Sequence, residues 1–225
     1  MNNRLLGALS LLSLILTTIW LVLLITFTAS SGTMETFDQA LAYTAQAGTL
    51  YYITYINAAL IVLAVTSLFA VLHSTYRLRS PAWSFIALAF VPVYSTLNLV
   101  VYLSQITVVP RLLELSEAPV FQHAATALLS QTLQIWPESS TAAINSLAYA
   151  VLAIPSIIYG FLLWGQRRIL RIAGALLACN GVACILGFGG VILHNPWLQW
   201  GTVIGGALFL AALVPMSLAF LFRTR

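Results

Sequence analysis

The fold class this sequence predicts is all-α: a polytopic membrane protein, a bundle of six transmembrane helices with an amphipathic helix on its outer side. Three observations predict it. Of the 225 residues, 61% are hydrophobic and only 6% charged, whereas soluble domains carry roughly 25% charged residues. That balance argues against an ordinary soluble domain and against a disordered chain, whose signature is low hydrophobicity with high charge. Mean hydropathy is +0.99, and six apolar runs reach the roughly 20 residues that a helix needs to cross a bilayer core about 30 Å thick. Finally, the few charges are sorted by loop, as the positive-inside rule requires.

The predicted spans are 5–28, 50–72, 83–109, 142–164, 172–193 and 201–222, and together they make one domain covering residues 1–225. None contains Asp, Glu, Lys or Arg. Each must be helical, because hydrocarbon offers no partner to an open backbone. Their apolar residues run all round, without the alternation that marks a barrel strand.

An even number of spans puts both termini on one side. Arg4, Arg77, Arg79, Arg167, Arg168, Arg171, Arg223 and Arg225 then share that side, while Arg111 lies opposite with Glu35, Asp38, Glu114, Glu117 and Glu138. Both termini are therefore expected in the cytoplasm, in a plasma membrane of the bacterial inner-membrane type. Trp83 and Trp164 would mark the inner interface, and Trp136, Trp197 and Trp200 the outer one. The first apolar run exceeds the 7–15 residues of a signal-peptide core, so an uncleaved first helix is expected despite the small residues at 29–32.

The outer loops carry structure of their own. Residues 111–115 extend the third span outward until Pro119 breaks it. Val120, Phe121, Ala124, Leu128 and Leu129 then recur at helical spacing among Gln122, His123, Gln131 and Gln134. Residues 121–134 thus read as an amphipathic helix lying on the outer surface or capping the bundle. Residues 38–45 predict a shorter one.

Several chemistries are missing. The chain has no lysine for a Schiff base and no intramembrane carboxylate for a proton relay. It also lacks a metalloprotease HExxH, a nucleophile elbow and a phosphate-binding glycine loop. His73 falls at the inner end of span two, with no second histidine on its side to complete a bis-histidine haem. His123 and His194 both fall on the outer side, where ordinary interfacial hydrogen bonding is the simpler role. Cys179 and Cys184 are five positions apart in span five, on different faces, and read as small core residues. No cofactor, no metal and no nucleic acid is expected, and neither is enzymatic activity.

The positive signal is a polar stripe. Tyr94, Asn98, Tyr102 and Gln105 fall within about 80° of one face of span three. Asn145, Tyr149, Ser156 and Tyr159 share a face of span four, and span two adds Tyr51, Thr54, Tyr55 and Asn57. An unpaired amide in hydrocarbon costs several kcal/mol, so these groups should turn inward and meet. Asn57, Asn98, Tyr102, Gln105, Asn145 and Tyr149 fall in the outer half and are the candidate ligand-binding residues. The other account is interhelical hydrogen bonding alone, worth about 0.6 kcal/mol per bond.

Pro92, Pro155 and Pro215 fall seven to nine residues from the inner ends of their spans, each freeing a carbonyl one turn earlier. Glycines concentrate late, at 174, 181, 187, 189 and 190, then at 201, 205 and 206. Close packing of spans five and six accounts for them, with a homodimer through that face as the alternative.

Spans four and five carry a resemblance. Tyr149-Ala-Val-Leu-Ala through Trp164, then Gln166-Arg-Arg-Ile-Leu-Arg-Ile-Ala-Gly-Ala-Leu-Leu to Gly181, resembles a family of uncharacterised bacterial six-helix integral membrane proteins, a domain of unknown function. The resemblance covers about a third of the chain and implies a bacterial inner-membrane setting. The expected function is binding or transport of a small neutral or amphipathic ligand through an outer-half polar pocket. The alternative is a structural or accessory subunit of a larger membrane complex, docked on a membrane-protein partner. In either case the lipid bilayer is the chain's first partner.

Overall fold

The computed structural model describes residues 2–31, 34–46 and 48–222. Among them are eight α-helices in chain order: α1 (Asn2–Ser31), α2 (Phe37–Gln46), α3 (Gly48–Tyr76), α4 (Pro81–Ser116), α5 (Gln122–Thr132), α6 (Ser140–Trp164), α7 (Arg168–Ile192) and α8 (Pro196–Leu221). Six of them, α1, α3, α4, α6, α7 and α8, are long and apolar enough to cross a membrane. They correspond to the six predicted spans, each slightly longer than predicted. Helices α2 and α5 coincide with the two expected outer helices within a few residues.

Local chemistry explains the ends. At the start of α2, Thr36 and Gln39 form a reciprocal cap. Gln39 N–H donates to Thr36 Oγ1 at 3.3 Å, and Gln39 Oε1 accepts from the N–H groups of Glu35 and Thr36. Ser139 Oγ caps α6 by accepting from Ala142 N–H, and Asn195 Oδ1 caps α8 by accepting from Trp197 and Leu198 N–H. Pro81 and Pro196 occupy the first turns of α4 and α8, where a missing N–H costs nothing. His194 turns the chain between α7 and α8 at φ 49°, and Asn195 N–H closes the turn on Gly190 O at 2.8 Å. Helix α4 runs on through Pro110 to Ser116, and Arg111 there pairs with Glu114 at 2.7 Å. Pro92, Pro155 and Pro215 all lie inside continuous helices.

The six long helices close a ring in chain order. Helix α1 packs on α3, α3 on α4, α4 on α6, α6 on α7, α7 on α8, and α8 returns to α1. Glycines set the tightest contacts. A Cβ on Gly160 of α6 would lie 2.7 Å from Gly174 O of α7, and one on Gly201 of α8 would lie 2.6 Å from Gly187 N of α7. These backbones approach more closely than any side chain permits. Helices α1 and α8 meet where a Cβ on Gly7 would fall 2.9 Å from Leu221 N. Both termini therefore share one end of the ring, and α2 and α5 lie at the other, the capped end.

Candidate functional site: a cavity inside the helix ring

All six long helices contribute to a cavity of about 480 Å³ in the half of the ring nearer the cap. Its wall is chiefly aliphatic and aromatic, with Trp20, Leu24 and Phe27 from α1, Ala58, Val62 and Val65 from α3, Leu152 from α6 and Phe209 from α8. Its polar groups are neutral. They are Thr17, Thr54, Tyr55, Tyr94, Tyr102, Gln134, Asn145, Tyr149, Asn180 and Thr202, with the Cys184 thiol beside them.

The polar stripes predicted on spans two to four do turn inward. Tyr94, Asn98, Tyr102 and Gln105 are all buried, as are Tyr51, Thr54, Tyr55 and Asn57. Their roles then divide. Tyr102, Asn145 and Tyr149 line the cavity. The Tyr102 and Tyr149 hydroxyls share a hydrogen bond of 2.8 Å, which uses one of their two protons. Asn57, Asn98 and Gln105 are not among the lining residues. Asn57 Nδ2 instead donates to Leu16 O of α1 at 3.1 Å, tying α3 to α1. Asn98 lies beside Tyr94, yet neither of its amide atoms reaches a partner at hydrogen-bonding geometry.

Gln105 serves as a clamp on the cap. Its Oε1 accepts from Tyr51 Oη at 3.0 Å and from Gln134 N–H at 3.0 Å, and its Nε2 donates to Thr132 O at 2.8 Å. One buried side chain thus joins α3, α4, the end of α5 and the segment following it. Next to it, Tyr55 Oη donates to Gln134 Oε1 at 2.8 Å, and Gln134 and Ile135 form part of the cavity wall. Leu129 and Leu133 are fully buried beneath the same segment. The segment after α5 therefore forms the cavity wall at its capped end.

Sequence reasoning passed over Asn180. Its Nδ2 donates to Gly205 O of α8 at 2.9 Å, which fixes the amide's orientation. Its Oδ1 is buried without a partner, and so is Oδ1 of Asn145. Both residues line the cavity. Asn180 was identifiable as the lone amide within an otherwise apolar span five, but no polar neighbour at helical spacing marked its face. Cys184, one turn further along α7, is buried as expected and lines the cavity as well, whereas Cys179, also expected in the core, is exposed on another face of the helix.

A second polar cluster lies toward the termini end. His73 Nδ1 is 3.0 Å from Ser84 Oγ, which is 3.2 Å from Tyr159 Oη. Ser84 and Tyr159 are fully buried, and the cluster ties α3, α4 and α6 together. His123 and His194 sit exposed on α5 and on the α7–α8 turn. Among the described residues, no group of three or more His, Cys, Asp or Glu side chains could hold a metal ion.

No protein-family profile, curated protein or solved structure matches this chain.

Proposed function

We propose that this chain is a multi-pass protein of the bacterial inner membrane, with both termini cytoplasmic. In this reading it is not an enzyme, and it binds a small neutral or amphipathic ligand in the ring cavity, as a carrier or receptor for it. The observation that carries this reading is the cavity itself. At roughly 30 Å³ per water-sized volume, 480 Å³ holds about 16 such volumes, far more than one trapped water and within the range of ligand sites. The wall is chiefly aliphatic and aromatic with a few polar groups, the mix found in small-molecule sites. The lining side chains carry no charge, which favours a neutral occupant. The spare proton and free lone pairs of the Tyr102–Tyr149 pair are the hydrogen-bonding groups such an occupant would use.

The test is extraction into native-lipid nanodiscs followed by mass spectrometry of the intact particle and its small-molecule content. The expected result is a neutral molecule held at a fixed ratio to protein, absent from an Ala58→Phe variant whose ring fills the cavity. An empty wild-type cavity with a stably bound second polypeptide would overturn this reading in favour of an accessory subunit.

A further inference from the structure

The cavity has a side opening, and its position identifies the route. Most lining residues are buried or half-buried. Those that are exposed, Leu21, Val203, Gly206 and Ala207, all belong to α1 or α8. The two helices meet at the termini end, where Gly7 lies against Leu221 and Leu6, Ser10 and Ser13 of α1 are fully buried. Beyond Ser13, Phe27 is the only buried α1 residue among those described. It packs edge-on against Tyr43 of α2 at 4.7 Å, and Ser30 shares a hydrogen bond with the Tyr43 hydroxyl. Helix α1 is thus fastened to α8 at one end and to α2 at the other. Between these points its Thr17–Leu24 stretch faces the cavity. The gap beside it faces the flank of the bundle, where hydrocarbon would lie. The capped end is shut by Gln134 and Ile135.

We propose that the cavity is loaded sideways from the membrane through this α1–α8 gap, and that it takes a single-chain amphiphile with an uncharged hydroxyl head. This rests on the ligand-binding reading above and adds the route and the chemical class. The apolar walls from Trp20 to Phe209 take the chain. The head's oxygen accepts the spare proton of the tyrosine pair, and its own proton is donated to a hydroxyl oxygen of the same pair. A hydroxyl both donates and accepts, which matches the spare proton and free lone pairs of that pair. A carboxylate or ammonium head would lie in a low-dielectric wall without a counter-charge, which disfavours it.

The experiment uses the full chain in lipid nanodiscs with a long-chain primary alcohol bearing a mid-chain diazirine. After irradiation, labelled peptides are mapped by mass spectrometry. The expected label is saturable, falls on cavity-wall residues such as Trp20, Tyr149 and Phe209, and is displaced by unlabelled hexadecanol. The same chain ending in a carboxylate should label at least tenfold less. Gly206→Trp should cut cavity labelling at least tenfold by plugging the opening. A Cβ there meets nothing within 4 Å, so the ring adds bulk without a backbone clash. Val203→Trp at the same opening is the second variant, should the first fail to fold.

Cavity labelling that survives both plugs would overturn the lateral route while leaving ligand binding intact. Equal labelling by the carboxylate would overturn the neutral-head assignment. Label spread evenly over all lipid-facing helix faces, without saturation, would overturn the ligand-binding reading itself.

Discussion

At the scale of single residues, Gln105 and Asn98 look equivalent in the sequence: two buried amides seven positions apart on one stripe of α4. Their environments differ completely. Gln105 is saturated and couples three segments, whereas both amide atoms of Asn98 are buried without partners. Removing one partner of a buried hydrogen bond strands the other, at about 1–3 kcal/mol, but replacing an unsatisfied group by an apolar one of similar shape is neutral or favourable. Gln105→Leu is therefore expected to lower stability by about 2 kcal/mol, well beyond the ~0.6 kcal/mol of an average membrane hydrogen bond. It should also loosen residues 122–136. Asn98→Leu is expected to leave stability unchanged or raise it. Thermal unfolding in detergent checks both, and equal losses would mean that the two amides contribute alike. The direction of each stripe was legible because helical periodicity and the cost of buried amides both act locally. The partner of each amide was not, because Tyr51 and Thr132 reach Gln105 only through the tertiary arrangement.

At the scale of elements, lengths, ends and burial faces could be read closely. Span lengths follow from bilayer thickness, and Ser139, Asn195 and the Thr36–Gln39 pair stop or start helices through side chains next to the backbone they satisfy. The glycines of α7 were legible as a group but not one by one. Gly174 and Gly187 sit at backbone crossings with Gly160 and Gly201, while an added Cβ on Gly189 would meet nothing within 4 Å. An alanine at a crossing forces the helices apart, and overpacking of this kind costs about 1–3 kcal/mol. The same change at an open helical site gains up to about 1 kcal/mol in helix propensity. Gly160→Ala and Gly201→Ala should therefore lower the unfolding temperature, and Gly189→Ala should hold or raise it. The same comparison tests whether the glycine-rich helices serve packing within one chain. If Gly189→Ala were the most damaging of the three, a contact on the outer face of α7, such as a second copy, would become the better account.

At the scale of the whole molecule, the ring order of the helices was not written in any local pattern. Hydropathy gives six spans, but closure of α8 onto α1 depends on Gly7 and Leu221, at opposite ends of the chain, coming together. That closure places the cavity in the centre and leaves α1 covering one side of it. It also places every arginine-bearing short loop at the end where the termini lie, with Arg111 at the capped end among the acidic residues. Transfer of a cationic side chain across the membrane is disfavoured, so the proposed orientation keeps the arginine-bearing loops in the cytoplasm and exports the acidic, helix-bearing ones. Fusing alkaline phosphatase after residue 120, in the turn between α4 and α5, should therefore give active enzyme in bacteria, while a fusion after Arg225 should be inactive. A fluorescent protein at the same C-terminal position should fold and glow. The reverse pattern would invert the molecule and put the cavity in the cytoplasmic half of the bilayer. The ligand would then be drawn from the inner leaflet, and the α2–α5 cap would face the cell interior.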